Sequence, residues 1–119
     1  MSQNFQAGDY LIFQIESGYG LLRILGIDEQ DGENVWHLAA YNELFPDIEF
    51  AETAIENPQS LTISLPHVAL TNRAFLSTQT ARLKNVPLND AELKPLEVWK
   101  ADESSEIIDR SIRLMLGLR

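Results

Sequence analysis

Two histidines, His37 and His67, are the residues of this 119-residue chain best suited to carry a proton near neutral pH. They stand thirty residues apart, and neither belongs to a spacing such as H-x-x-x-H. A catalytic zinc site normally takes three protein ligands, so an acid would have to join both. His37 lies between Trp36 and Leu38 in an apolar run, where a hydrogen-bonded sheet histidine is the ordinary reading. His67 follows Pro66 at the end of another run and is the better site candidate; with a carboxylate such as Asp9 or Glu97 it would supply the acid–base pair of a small hydrolase or lyase.

Other chemical signatures are missing. There is no cysteine, so neither a thiolate metal site nor a cysteine nucleophile can form. G-x-S-x-G, S-x-x-K and the phosphate-cradling G-x-x-x-x-G-K-[ST] do not occur. Gly18-Tyr19-Gly20 echoes the start of a dinucleotide fingerprint, but a strand pattern follows it where a helix is required. Asp28, Asp31 and Glu33 gather acid in one stretch without the EF-hand spacing for calcium. Eighteen acids always offer carboxylate pairs, and nothing marks one pair out. No cofactor or metal and no catalytic residue is expected, and the chain reads as a non-enzyme.

Charge separates the chain into two unlike halves. Through Ser60, eleven acids face Arg23 alone, a net of −10; from Leu61 onward eight bases meet seven acids, a net of +1. Phosphate contacts are made by clustered Lys and Arg, so nucleic acid is an unsuitable partner. The acidic half is read either as a solubilising surface or as the footprint of a basic protein partner, because opposed fields speed encounter. Its candidate contact residues are Tyr19, Asp28, Glu29, Asp31, Glu33, Trp36, Glu43 and Asp47. A second reading draws on the aromatics Tyr10, Tyr19, Trp36, Tyr41 and Phe45, which could grip a ligand or peptide if they shared one concave patch; otherwise they belong to the core.

The elements that must position these groups begin with a three-stranded antiparallel meander over about residues 5–42. Leu11, Phe13 and Ile15 alternate with Tyr10, Ile12 and Gln14, the period of a strand. Ser17 to Gly20 reverses the chain, Leu21 to Ile27 returns, and Val35 to Tyr41 forms the third strand after a polar loop, Asp28 to Asn34, that contains the turn-favouring pair Asp31-Gly32. Gly26 marks a bulge or a close backbone approach.

A mixed middle covers about 43–100. Residues 48–56 fit a short helix opened by Pro46-Asp47 or a strand through Ile48 and Phe50. Leu61 and Ile63 read as a fourth strand that Pro66 stops or confines to an edge, with His67 to Leu70 continuing it after a kink. Thr71 to Leu76 has helical spacing. Leu83, Val86 and Leu88 form an irregular, partly buried segment. Asp90 to Lys94 allows one helical turn before Pro95, and Leu96, Val98 and Trp99 could add a last strand.

The best-marked helix is expected over about 102–117. Asp102 and Ser104 are suitable caps, Glu106–Arg110 and Asp109–Arg113 are acid-before-base pairs, and Ile108, Ile112 and Met115 line one stripe ending at Gly117. That face should pack on the sheet, and its breadth leaves a homodimer open. No apolar run approaches the ~20 residues of a membrane span. Met1 to Phe5 lacks the basic start and apolar run of a signal peptide, so a reducing cytoplasm is the expected compartment.

Gly8-Asp9, then Gly18-Tyr19-Gly20, then Arg23-Ile24-Leu25 give an order that looks like SH3-like small barrels. More narrowly, it resembles the opening of the immunity protein twenty-six family, encoded beside bacterial polymorphic toxins. The resemblance spans roughly the first quarter of the chain. It implies a non-enzymatic protein that binds a toxin domain and blocks it, and it assigns no binding residues. The expected molecule is therefore a single α+β domain over 1–119, a bent antiparallel sheet or partly open barrel with a packed C-terminal helix, acting as an immunity- or adaptor-type binder of a basic partner.

Overall fold

The structure is a computed structural model that describes residues 4–118. It is α+β. Five strands, β1 (Asp9–Ile15), β2 (Gly18–Gln30), β3 (Glu33–Phe45), β4 (Ile63–Thr71) and β5 (Thr80–Asn85), pair antiparallel in the order β4-β3-β2-β1-β5. The sheet is open, with β4 and β5 as its edges. Four helices, α1 (Ile48–Glu56), α2 (Asn72–Leu76), α3 (Asp90–Ala101) and α4 (Ile112–Met115), complete it.

Strand alternation sends side chains to two covered faces. Leu11, Phe13 and Ile15 join Leu22, Ile24, Trp36, Leu38, Val68 and Leu70 on one face, closed by Ala74 and Phe75 of α2 and Ile112 of α4. Tyr10 and Ile12 lie on the other face with Leu21 and Tyr41 under Ala51 and Ile55 of α1. Beside them, Leu25 and Ala39 meet Leu96 of α3. With helices on both sides, the central strands lose the simple polar–apolar alternation of a half-solvated sheet.

Local chemistry accounts for the short helices. Asp47 caps α1, accepting the Phe50 N–H at 3.0 Å, and Asn57-Pro58 ends it, so residues 48–56 are helix and not strand. Thr71 caps α2 through the Ala74 N–H at 3.1 Å. The polar loop expected over Asp28 to Asn34 is instead a continuation of β2 and β3 to a two-residue turn, in which Asp31 and Gly32 both take positive φ (53° and 81°). The first reversal also tightens, to Glu16-Ser17, which leaves Gly18 to Gly20 inside β2. Gly20 makes room for the Phe13 ring, which a Cβ there would meet at 2.3 Å.

Three further stretches differ from the expectation. The strand proposed for Leu96, Val98 and Trp99 is the second half of α3. An Asn89–Glu92 capping box starts this helix and Pro95 does not end it. Glu92, Leu96 and Trp99 share the face turned to the sheet at helical spacing, while Val98, which a strand would have needed, is exposed. Arg23, fully buried on β2, fastens that face: its Nε and Nη2 donate to the Glu92 carboxylate at 3.1 and 3.3 Å, Nη1 donates to the Gly8 carbonyl, and the guanidinium lies 4.1 Å from the Tyr10 ring centroid.

The second difference is the C-terminal helix, which is a single turn, α4, and not a helix over 102–117. Residues 102–106 instead turn back on the end of α3, where Ser105 Oγ donates to the Trp99 carbonyl and Trp99 Nε1 donates to the Glu106 carbonyl, and the chain then meets the β4 edge at Ile108 and Asp109. Ile108 N–H donates to the Ala69 carbonyl at 2.8 Å and Thr71 N–H donates to Ile108 O at 3.0 Å, while Asp109 accepts from Thr71 Oγ1 at 2.7 Å and pairs with Arg73. Unpaired edge groups and a ready partner for Asp109 outweigh two i,i+4 pairs worth about 0.2–0.5 kcal/mol each. Third, Thr80–Asn85 is strand β5, paired to β1, where only an irregular segment from Leu83 to Leu88 was expected. Its Ala81, Arg82 and Lys84 face solvent, which erases the apolar signal of a strand.

Candidate functional site

β3 and β4 bring the two histidines together. His37 pairs in register with Ala69, so His67, two residues before Ala69, is a diagonal neighbour on the same face. The rings lie nearly parallel with centroids 5.2 Å apart, and His37 Nδ1 is 2.9 Å from His67 Nε2. On its other side His37 Nε2 is 2.9 Å from Asp28 Oδ2.

A bulge makes the second contact. Ile24 pairs with Leu38 and Gly26 with His37, so Leu25 is the extra residue and the facing of β2 changes parity there. Without that step Asp28 would point to the opposite face. Beyond it, Asp28 stands beside His37 under α3, where Trp99 lies edge-on to His37 (centroids 5.1 Å) and tilted against His67 (5.5 Å), and Lys100 Nζ is 3.6 Å from Asp28 Oδ2.

Proton positions follow from the network. Asp28 can only accept, so His37 carries its proton on Nε2 and donates it there; His37 Nδ1 then accepts from the Nε2–H of His67. Desolvation lowers the His37 pKa, against the raising effect of Asp28. Burial, and then the neighbouring His37, bring His67 down to about 4. Both rings are therefore neutral at neutral pH. The chain accommodates one added proton by a tautomer change at His67, whereas a second would set two N–H groups against each other.

Beside Asp28 and His37 is a cleft of about 390 Å³, lined also by Glu29, Gln30, Val35, Trp99 and Ile107. No serine, threonine or cysteine lines it among the described residues. Nor do the described residues place three or more His, Cys, Asp or Glu side chains to hold a metal ion. What the cleft offers is negative charge beside an indole ring.

Of the eight candidate contact residues, the structure gathers Asp28, Glu29, Asp31 and Glu33 on the β2–β3 hairpin, all exposed. Glu29 and Asp31 have no ion-pair partner among the described residues. Glu43 and Asp47 sit at the far end of β3 with local work to do. Desolvation opposes ionisation of Glu43, but bonds from the Thr62 N–H and Oγ1 (2.8 and 2.7 Å) hold its carboxyl below the usual value. Asp47 is the α1 cap. Trp36 is buried on the opposite face, stacked on Phe75 with centroids 4.0 Å apart, and Tyr19 packs half-buried against the α1 cluster.

The aromatics do not share one concave patch: Tyr10, Trp36 and Tyr41 are all buried, in two separate clusters. The carboxylates considered for His67 are also elsewhere. Asp9 is fully buried, accepting from the Gln6 N–H (2.7 Å) and Asn85 Nδ2 (2.8 Å), and Glu97 is exposed on α3. The carboxylate that serves His67 is Asp28, one imidazole removed. Trp99 and Lys100 were hidden by the strand reading of their segment, and Gly26 was the one sequence signal for the step that aligns Asp28. Scanned against protein-family models, curated proteins and solved structures, the chain matches none.

Proposed function

We propose that this protein is a small acidic binding protein of immunity or adaptor type, which takes a basic protein partner on the β2–β3 hairpin and the cleft at its root. The observation that carries this reading is the cleft wall: the carboxylates of Asp28 and Glu29 beside the Trp99 ring, continuous in sequence with exposed Asp31 and Glu33. A lysine or arginine side chain inserted there gains charge pairing and a cation–π contact worth about 0.5–2 kcal/mol. Lys100, 3.6 Å from Asp28, already places an ammonium at this carboxylate, and a partner's cation would compete for it. The tight Asp31-Gly32 turn presents the acids on paired strands, which reduces the entropy lost on binding. The resemblance of the opening hairpin to the immunity protein twenty-six family makes a toxin domain the natural kind of partner, with inhibition as the outcome of capture.

Affinity capture from the native host, with the wild type and a Glu29→Lys/Asp31→Lys/Glu33→Lys variant, tests the reading. A basic protein held by the wild type should be lost with the triple variant and released by raised salt. A partner captured equally by both proteins, at low and high salt, would remove the electrostatic mechanism.

A further inference from the structure

β2 runs on past one of its neighbours. β1 pairs with it only as far as Arg23, and the Gly8 N–H adds one bond to the Ile24 carbonyl at 2.8 Å; from Gly26 to Gln30, β2 has β3 on one side and no described strand on the other. The register fixes which backbone groups that open side carries. In an antiparallel ladder, hydrogen-bonded and non-bonded pairs alternate, and the pair closing a two-residue turn is hydrogen-bonded. Counted back from Gln30 and Glu33, Asp28 and Gly26 bond to β3, while the N–H and C=O of Ile27 and Glu29 point away from it. None of these four groups has a hydrogen-bond partner among the described residues.

Such a row of unpaired groups is a template for a further strand, which proteins blunt where pairing is unwanted. The two outer edges of the sheet are blunted: β4 carries Pro66 and bonds to Ile108 through Ala69 and Thr71, and β5 carries Arg82 and Lys84. The open side of β2 carries acid instead. Asp28 and Glu29 lie along it, Asp31 and Glu33 stand at its tip, and Ile27 is its one apolar side chain. A second copy of this edge would meet like charge, whereas a basic strand would meet its complement.

We propose that the β2 edge from Gly26 to Gln30 takes up an extended basic segment of the partner as a sixth strand of the sheet. This mode of binding rests on the hairpin being the capture site; backbone bonds to Ile27 and Glu29 supply the register, and charge supplies the selection. Alternation assigns the incoming side chains. The residue opposite Ile27 falls on the main-cluster face, where an apolar side chain suits, and the one opposite Asp28 falls on the α3 face, where a lysine or arginine meets the carboxylate. The partner segment is therefore alternately basic and apolar.

The test is an NMR titration of the isotope-labelled protein at low salt with the peptide acetyl-Lys-Val-Lys-Val-Lys-amide. In the free protein the Ile27 and Glu29 amides should exchange with solvent faster than that of Asp28 between them; peptide at about ten times its dissociation constant should slow both by about tenfold and leave Asp28 unchanged. N-methylation of the two valines removes the donors aimed at β2 and should weaken binding at least about tenfold, whereas N-methylation of the three lysines, whose N–H groups point outward, should weaken it less than about threefold. All three peptides keep the same charge. Equal binding by them would overturn strand addition and leave the electrostatic capture of a basic partner standing. An acidic peptide of the same pattern that binds equally well would overturn the charge selection on which both readings rest. Ile27 and Glu29 amides already protected in the free protein, or no saturable shift of either up to about 5 mM peptide, would also overturn the proposal.

Discussion

His67 donates its Nε2 proton to His37 Nδ1 across 2.9 Å, and His37 passes the polarity on to Asp28 across another 2.9 Å. Three residues from three strands thus share a hydrogen-bond chain under Trp99, and burial of the two imidazoles keeps them neutral against the pull of Asp28 on His37.

The histidine pair should make the fold acid-sensitive. In the unfolded chain His67 takes up its proton near 6.5, in the folded protein only at about 4, so between those values the unfolded state holds more protons. Its contribution is complete above 6.5 and is lost as the pH falls toward 4. The His37 pKa is lowered too and acts in the same direction. Allowing for the partial exposure of His67, its share is about 1–2 kcal/mol. Urea midpoints measured across this window should fall more steeply for the wild type than for His67→Asn; parallel curves would show that the pair does not titrate in this way.

Removing the carboxylate from Arg23 should loosen one helix before it unfolds the domain. Glu92→Ala leaves a fully buried guanidinium with carbonyl acceptors and the Tyr10 ring but no counter-charge, at a cost of about 3 kcal/mol. Hydrogen exchange should accelerate first in α3, whereas equal acceleration in α3 and β2 would count against the anchoring role.

Two glycines should respond to alanine for different reasons. Gly20→Ala drives a methyl into the buried Phe13 ring and should cost about 1–3 kcal/mol through overpacking. Gly32→Ala meets nothing within 4 Å, and only its φ of +81° resists, at about 1 kcal/mol. Thermal denaturation of both variants would rank them in that order.

The one-turn helix α4 should matter for what it buries and not for its helicity. Ile112 is 2% exposed in the main cluster, and its truncation to alanine should cost about 2–5 kcal/mol. Leu114, 70% exposed on the same turn, should change stability by less than about 0.5 kcal/mol. Similar losses at both positions, read from chemical denaturation, would contradict the packing seen here.

The meander was legible in the sequence because alternation at Tyr10 to Ile15 and the apolar runs at Leu21 to Ile27 and Val35 to Tyr41 are local properties, set by a side-chain period of two. For α1 the cap Asp47 and the stop Asn57-Pro58 were legible, but not whether the residues between them form a helix or a strand. The failures occurred where a distant partner outweighed local preference. Residues 102–111 give up the helix for bonds to the end of α3 and, at Ile108 and Asp109, to the edge of β4, α3 runs past Pro95 because Glu92, Leu96 and Trp99 find partners on the sheet, and β5 carries too few apolar residues to announce itself. The acids of the hairpin were visible as types, but not that one of them, Asp28, also bonds to a histidine. That the meander's Asp28 reaches His37 depends on one extra residue at Leu25, and that His67 joins them depends on the β3–β4 register. Sequence determined which residues could carry charge or a proton; only tertiary pairing decided which of them meet, because a one-residue step in register changes the face to which every later side chain points.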